Sequence, residues 1–478
     1  MTKTAQLENG RLIEYLPEMI GEGTMKQVYF SKDKEFVLCF YKNLRKTDIN
    51  RLRRLQKILT EFNPTLQNNK NANYWNERFC WPTSIIKSPT LGIMTPVYPK
   101  NYFFASGRWQ GKEKKSRWFI SPKLRQYLPK EEQSAWINYY KIGILLARAV
   151  NRLHLAGLAH SDLSDNNVLI DPTTGQMIII DIDSIVVPQT FPPDVEGTPG
   201  YIAPEVLATA ALATDDPKKQ FASIRTDQHA LAVLIYEYLL NRHPLRGPKI
   251  HSTRSAEEDE RLSLGKKALF IEHPDDTSNH PKQGLKFPVT ALGSTLTALF
   301  YNAFITGLHS PDERPSAYEW ESGLIKTWNM LHPCPNPNCT HQWFIVIPEQ
   351  NRCPFCHTPI KTPIPILTIR SQKRPGQWMQ QEQLVIYHGQ RLFKWHIFDN
   401  IFPRPNTDKT PQAYCVYYQG KWLLINQALT SLTSPNGNRV DVGKAIELRA
   451  GTSIRLSQET HGCLAEIQKS GVQTLVWQ

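Results

Sequence analysis

Between residues 160 and 184 the chain reads His160-Ser161-Asp162-Leu163-Ser164-Asp165-Asn166-Asn167-Val168-Leu169-Ile170 and then, after a short hairpin, Ile180-Asp181-Ile182-Asp183-Ser184. No other stretch restricts the possible folds as much. A carboxylate, an amide five residues on and a second carboxylate past a hairpin supply what phosphoryl transfer needs. One group orients an acceptor hydroxyl, and the other two hold a divalent cation against phosphates. The flanks give the context. Residues 134–156 have helical periodicity that ends at Gly157, and Ile178-Ile179-Ile180 is a short buried strand. Asp162 and Asn167 therefore fall on a loop between a helix and a hairpin, and Asp181 on the loop that leaves it. A chance loop rich in Asp and Asn has the same composition, so the rest of the chain must decide.

It does so with Gly197-Thr198-Pro199-Gly200-Tyr201-Ile202-Ala203-Pro204-Glu205. The ordered set resembles the eukaryotic-type protein kinase family. In that resemblance Asp162 is the catalytic-loop aspartate, Asn167 its metal-binding asparagine and Asp181 the aspartate of the Asp-Phe-Gly element. Ala203-Pro204-Glu205 is the Ala-Pro-Glu element. Asp227, ahead of the apolar run 231–240, matches an aspartate that braces the catalytic loop. Arg314 in Asp-Glu-Arg-Pro matches the arginine that pairs with Glu205, and Thr198 lies where serine/threonine kinases carry a threonine near the acceptor. Three residues depart from the pattern. Asp183 replaces a glycine, Ser161 an arginine that pairs with an activation-loop phosphate, and Ser164 a lysine that holds the transferring phosphate.

The front of the chain is less regular. Gly21-Glu22-Gly23-Thr24-Met25-Lys26-Gln27-Val28-Tyr29 is similar to a glycine-rich phosphate loop, with Lys26 in place of the third glycine. The strand expected to carry the phosphate-binding lysine is Val37-Leu38-Cys39, with Cys39 where that lysine belongs. Lys42 is one substitute. Lys26 is the better one, because Lys26 and Val28 are two apart and share a strand face. The same relocation resembles the "with-no-lysine" kinases. The resemblance implies ATP against Gly21, Gly23, Lys26, Val28, Val37 and Met94, Mg²⁺ on Asn167 and Asp181, and Asp162 and Lys26 as catalytic residues beside them. No helix glutamate that would pair with the lysine is evident. Asp48 and Glu61 only flank the stripe Leu52, Leu55, Ile58, Leu59.

Four of the eight cysteines form Cys334-x4-Cys339 and Cys353-x2-Cys356, the spacing of a closed four-thiolate Zn²⁺ ribbon with residues 342–347 as the strand between its knuckles. From residue 363 onward short alternating runs with turns read as an all-β module. It weakly resembles forkhead-associated domains, through Gly420-Lys421-Trp422, Pro435-Asn436-Gly437-Asn438 and Leu448-Arg449-Ala450-Gly451. Those domains read phosphothreonine, and here only Arg391, displaced, stands near the expected arginine. The fold class expected is therefore multidomain α+β. A bilobal protein kinase fold occupies 1–330, with a small lobe to about 100 and a large lobe from about 101. A small zinc ribbon follows at 331–361, and an all-β sandwich-like domain at 362–478.

This order resembles that of bacterial kinases associated with tellurium resistance. That implies a PP2C-type phosphatase and a von Willebrand A-domain protein as partners beside the protein substrate. The net charge of +13 is concentrated in residues 1–130, which hold 24 Lys+Arg against 10 Asp+Glu. The cluster Arg108 to Arg125 reads as a solvated loop, since no stacking pattern of aromatics accompanies it, and nucleic acid is an unlikely partner. No uninterrupted run of about 18 apolar residues occurs, and no signal-peptide core stands at the start. A reducing, cytoplasmic setting without membrane contact is expected. A pseudokinase scaffold and a nucleic-acid binder remain as alternatives of other classes.

Overall fold

The computed structural model describes residues 2–23, 25–42, 49–66, 70–187, 197–347 and 352–469. By internal packing it divides into two units. Met1–Ser134, Asn138–Lys286 and Ala298–Glu321 form the first, and Ala135–Ile137, Phe287–Thr297 and Ser322–Gln478 the second.

The first unit opens with six strands: β1 (Lys3–Leu7), β2 (Leu12–Glu22), β3 (Lys26–Ser31), β4 (Phe36–Tyr41), β5 (Ser84–Ser88) and β6 (Gly92–Pro96). They close into a barrel in the order β1-β2-β3-β4-β6-β5. Alternation sends Ala5, Leu7, Tyr15, Leu38, Phe40, Ile86 and Met94 into its core. β1 was not expected. Its sequence Lys-Thr-Ala-Gln-Leu buries only Ala5 and Leu7, too little pattern to mark a strand. The expected helix is present as Ile49–Leu59.

The long helix Trp136–Leu155 follows and stops where Gly157 takes φ +73°. It leads through the catalytic-loop sequence into a hairpin of β7 (Val168–Asp171) and β8 (Gln176–Ile179). Helix Ile224–Leu240 is buried from Thr226 onward. Its amino end is closed by a reciprocal Ser223–Thr226 capping box and its other end by Asn241 at φ 52°. The stretch Val289–Thr306, with mean hydropathy 1.2, meets the length and composition of a membrane span, which the search for uninterrupted runs passed over. Its Phe300 ring lies 4.8 Å from Trp320 and 5.2 Å from Tyr236, so one side of the stretch packs into the protein.

In the second unit β9 (Leu331–Pro333) pairs with β10 (Trp343–Ile345), a shorter strand than the 342–347 expected. Eight further strands follow: β11 (Pro365–Arg374), β12 (Gln377–Val385), β13 (Arg391–Leu392), β14 (Ala413–Tyr418), β15 (Lys421–Asn426), β16 (Ala445–Glu447), β17 (Ser453–Arg455) and β18 (Leu464–Lys469). They form two four-stranded antiparallel sheets, β12-β11-β18-β17 and β13-β14-β15-β16. Leu367, Ile369, Ala465 and Ile467 of one sheet and Cys415, Leu424 and Ile446 of the other share one core. The units do not divide at residue 330. Trp136 and Phe287 belong to the second unit because their rings pack on Phe355, at 5.1 and 4.5 Å, and His341 stacks on Phe355 at 3.7 Å.

Candidate active site

Strand register decides which side chains of the barrel can meet a ligand. Lys26 pairs with Tyr41, Val28 with Cys39 and Phe30 with Val37, so Lys26, Val28, Val37, Cys39 and Tyr41 share one face. Met94 pairs with Leu38 and lies in the barrel core, on the other face. The expected contact between Met94 and nucleotide is corrected accordingly. Lys42 forms an ion pair with Glu22 at 2.8 Å beside the glycine loop. A Cβ on Gly21 would meet Val28 Cβ at 3.8 Å, and one on Gly23 would meet only Lys26 O at 4.0 Å. Nothing in the protein's own packing demands glycine there, and the open space suits a phosphate chain approaching the backbone.

Lys26 reaches across to the loop after β8. Its ammonium donates to Asp181 Oδ1 and to both oxygens of Asp183, at 2.8 and 3.0 Å. Tyr41, its strand partner, donates its hydroxyl to Asp183 Oδ2. Burial alone pushes the Lys26 ammonium down, but the Asp183 and Asp181 carboxylates outweigh it and hold its pKa above the ordinary lysine value. Asp183 moves oppositely. Burial pushes it up, and the Lys26 charge with hydrogen bonds from Lys26 and Tyr41 holds it below the usual carboxylate range. Burial pushes the Cys39 thiol up to about 12, so beside Lys26 it is neutral.

Asp183 is the functional residue that the sequence reading missed, having counted it only as a lost glycine. Helix Ile49–Leu59 contains no acidic residue and buries Arg51 and Arg54 instead. The Arg51 guanidinium lies 4.7 Å over the Tyr41 ring. Glu61 pairs with Lys57 at the surface, 3.3 Å away, and Asp48 lies outside the described residues. The buried anion that anchors the lysine therefore comes from the Asp181–Asp183 loop. The signal available in the sequence was a second carboxylate two residues after the first.

The catalytic-loop residues converge as expected. Asn167 Nδ2 donates to Asp162 O and Asp162 Oδ2, both at 2.8 Å. Thr198 donates to Asp162 Oδ1 at 2.7 Å, with Ser164 Oγ 3.1 Å from the same hydroxyl. Buried Asp227 accepts from the backbone N–H of His160 at 2.7 Å and of Ser161 at 3.3 Å, which fixes the loop from behind. His160 Nε2 lies 2.9 Å from Ile180 O, tying this loop to the strand end before Asp181, which takes the left-handed φ 62°, ψ 37°. Arg314 makes a bidentate pair with Glu205 at 2.8 and 2.7 Å and donates to Gly307 O and Leu308 O. The Asp162 carboxylate, the Asn167 amide bonded to it, and the Lys26 ammonium anchored by Asp181 and Asp183 are groups that phosphoryl transfer can use.

Separately, the Sγ atoms of Cys334, Cys339, Cys353 and Cys356 all lie within 4.8 Å of one another. Cys334 and Cys356 are 3.5 Å apart, and Cys339 and Cys353 4.0 Å. Thiolates about 2.3 Å from one Zn²⁺ at tetrahedral angles stand roughly 3.8 Å apart, so the donor set fits that ion.

Residues 122–316, which include the Asp162, Asn167, Asp181, Glu205 and Arg314 contacts, match the family model "Protein kinase domain". The match begins after the barrel, where the glycine loop and lysine depart from the usual pattern. Among relatives, the chain is similar to the serine/threonine-protein kinase PknA of Mycobacterium tuberculosis strain H37Rv, 39% identical over 106 residues, 21% of this chain and 22% of that protein. It is also similar to the probable serine/threonine-protein kinase RTK1 of Saccharomyces cerevisiae, 30% identical over 138 residues, 27% of this chain and 19% of that protein. The chain thus spans about a fifth of the length of these curated relatives. A rhoptry kinase from Toxoplasma gondii aligns over 68% of this chain and 84% of its own, at 13% identity and TM-score 0.41. That likeness is too distant to bear on the assignment.

Proposed function

We propose that the chain is a protein serine/threonine kinase that transfers the γ-phosphoryl group of ATP to a protein hydroxyl. The observation that carries this reading is the cluster of Lys26 on β3 with Asp181 and Asp183 on the loop after β8, together with Asp162 bonded to Asn167. Asp162 orients the acceptor hydroxyl, and the oxygen now held by Thr198 marks where that hydroxyl would bond. Asn167 and Asp181 would hold Mg²⁺, which would neutralise charge on the phosphates. Lys26, kept in place by Asp183, supplies a fixed positive charge to the phosphate chain. Incubation of the full chain with radiolabelled ATP, Mg²⁺ and a generic serine/threonine substrate tests the reading. Label should appear with wild type and fall by orders of magnitude with Asp162→Asn. Nucleotide binding without transfer in either protein would make the chain a pseudokinase scaffold instead.

The finer parts of the reading have narrower support. A structural zinc ribbon at 331–361 is supported by the four converging thiols. A forkhead-associated-like module at 362–478 is supported by the two-sheet topology. Action beside a PP2C-type phosphatase and a von Willebrand A-domain protein, in a bacterial tellurium-resistance setting, is supported by module order alone. Co-purification from the native host tests it. Eight free cysteines favour a reducing, cytoplasmic location.

A further inference from the structure

Residues 100–125 hold eight Lys+Arg and one acidic residue, Glu113. The sequence reading set this run aside because no stacked aromatics accompany it. The fold supplies them. Trp109 and Trp118, nine positions apart, bring their ring centroids to 4.3 Å. The Arg108 guanidinium lies 5.2 Å and the Lys112 ammonium 5.6 Å from the Trp109 ring. Beside Trp118, Arg117 donates to Asn166 Oδ1 at 3.2 Å, and its N–H donates to Asp165 O at 3.3 Å. Asn166 adjoins Asn167 in the loop that carries Asp162. The strip of cations over stacked tryptophans therefore runs up to the catalytic loop.

Three of its other five basic residues are already engaged, and Lys100 and Lys123 are exposed. Lys114 is buried against Glu132 at 2.7 Å, Lys115 lies 3.7 Å from Glu113 and Arg125 donates to Asn241 at 3.0 Å. Arg108, Lys112 and Arg117 are exposed; Arg108 and Lys112 form no ion pair among the described residues, whereas Arg117 lies near the Asp165 carboxylate and favours its charged form.

We propose that Arg108 and Lys112, held over the Trp109 ring, together with Arg117 at the catalytic loop, dock an acidic stretch of the protein substrate beside the acceptor hydroxyl. The proposal rests on the kinase reading above and names its substrate class. Charge complementarity selects an anion, and the position selects a protein. An anionic segment on this strip lies alongside the loop that presents Asp162, an adjacency of no use to a nucleic-acid binder. The two indoles lie against each other at 38° and are half-buried, so they offer no free platform for successive bases.

Two measurements on the full chain test this. The first compares kcat/KM for a serine peptide followed or preceded by a run of Asp and Glu with that for the same peptide carrying Ala and Gly there. Exposed charge pairs are individually weak. Wild type should therefore prefer the acidic peptide by roughly tenfold at low salt, and R108E/K112E should bring the ratio to about one or below. An unchanged ratio overturns the proposal. The second is fluorescence anisotropy of the labelled acidic peptide on the Asp162→Asn protein, with circular dichroism to show that R108E/K112E remains folded. This arm needs no transfer, so it separates failure of the docking surface from failure of the kinase reading. Binding should weaken with salt and with R108E/K112E. A single-stranded oligonucleotide that binds at least tenfold tighter than the peptide, and loses that binding in R108E/K112E, would reassign the strip to nucleic acid and overturn the proposal.

Discussion

Replacing Asp183 by Asn tests the architecture of the site most directly. The substitution keeps size but removes the charge that sits 2.8 Å from the Lys26 ammonium at 4% side-chain exposure, and it turns one of the two acceptor oxygens into a donor. Breaking one side of a buried ion pair costs about 3–5 kcal/mol when nothing replaces it. Here Asp181 still faces Lys26, so the loss is closer to one charge-assisted bond, about 1.5–3 kcal/mol. If that loss falls on positioning of the ammonium during transfer, kcat drops by roughly one to two orders of magnitude, at 1.36 kcal/mol per decade. The same substitution alters the dependence of stability on pH. Asp183 has a folded pKa below its unfolded value, so its contribution is present above the unfolded carboxylate range and is lost as pH falls through the folded value. Lys26 has a folded pKa above its unfolded value, so its contribution is present below the unfolded lysine range and lost only at higher pH. The pair is therefore intact across neutral pH, and Asp183→Asn should flatten the acid side of the melting-temperature profile. Kinetics on a generic substrate, with melting curves from pH 3 to 8, measure both effects. In a Lys26→Met background Asp183→Asn should cost little more, because the two residues act as a pair. Full additivity of the two losses, or wild-type kcat and an unchanged acid limb in Asp183→Asn, would refute the anchoring role.

Two further outcomes follow from the same geometry. Lys26→Met should lower phosphotransfer by roughly one to two orders of magnitude, and Lys42→Met much less, since Lys42 is paired with Glu22; the reverse order would mean the lysine assignment is wrong. Freshly purified, reduced protein should carry one Zn²⁺ per chain by elemental analysis, and Cys353→Ser should unfold residues 331–361 while nucleotide binding persists, because the barrel and helices of the first unit have their own cores.

Some of this was legible in the sequence and some was not, for physical reasons. Asp162, Asn167 and Asp181 could be read because their spacing is local and hairpin geometry carries it into space. The four cysteines were legible for the same reason. Strands such as β14 and β15 announced themselves by alternation around Gly420, which takes φ +79° at the turn. Met94 was misassigned because a strand's pattern shows that two faces exist, not which one a neighbour turns toward the ligand. The pairing Leu38↔Met94 settles that, and a slip of one residue would reverse it. The Trp109–Trp118 stack was invisible because loop geometry, not periodicity, brings the rings together.

The changes in the front lobe form one compensated set. A lysine on β4 at position 39 would extend from the middle of the strand toward the helix, where a glutamate commonly receives it. Moving the ammonium to Lys26, at the first residue of β3, brings it from the glycine-loop end onto the Asp181–Asp183 loop. A carboxylate on the helix would then have no partner, and this helix has none. It turns Arg51 toward Tyr41, whose hydroxyl serves Asp183. A carboxylate at 183 in place of glycine then supplies the anion that the helix no longer provides. Cys39, neutral and half-buried, stands at the position of the displaced lysine without adding charge. Each departure looks like decay when taken alone. Together they keep one ammonium, one anchoring anion and one cation ligand within reach of each other. The anchor now belongs to the same loop as the cation ligand, so positioning of the lysine does not depend on a shift of helix Ile49–Leu59.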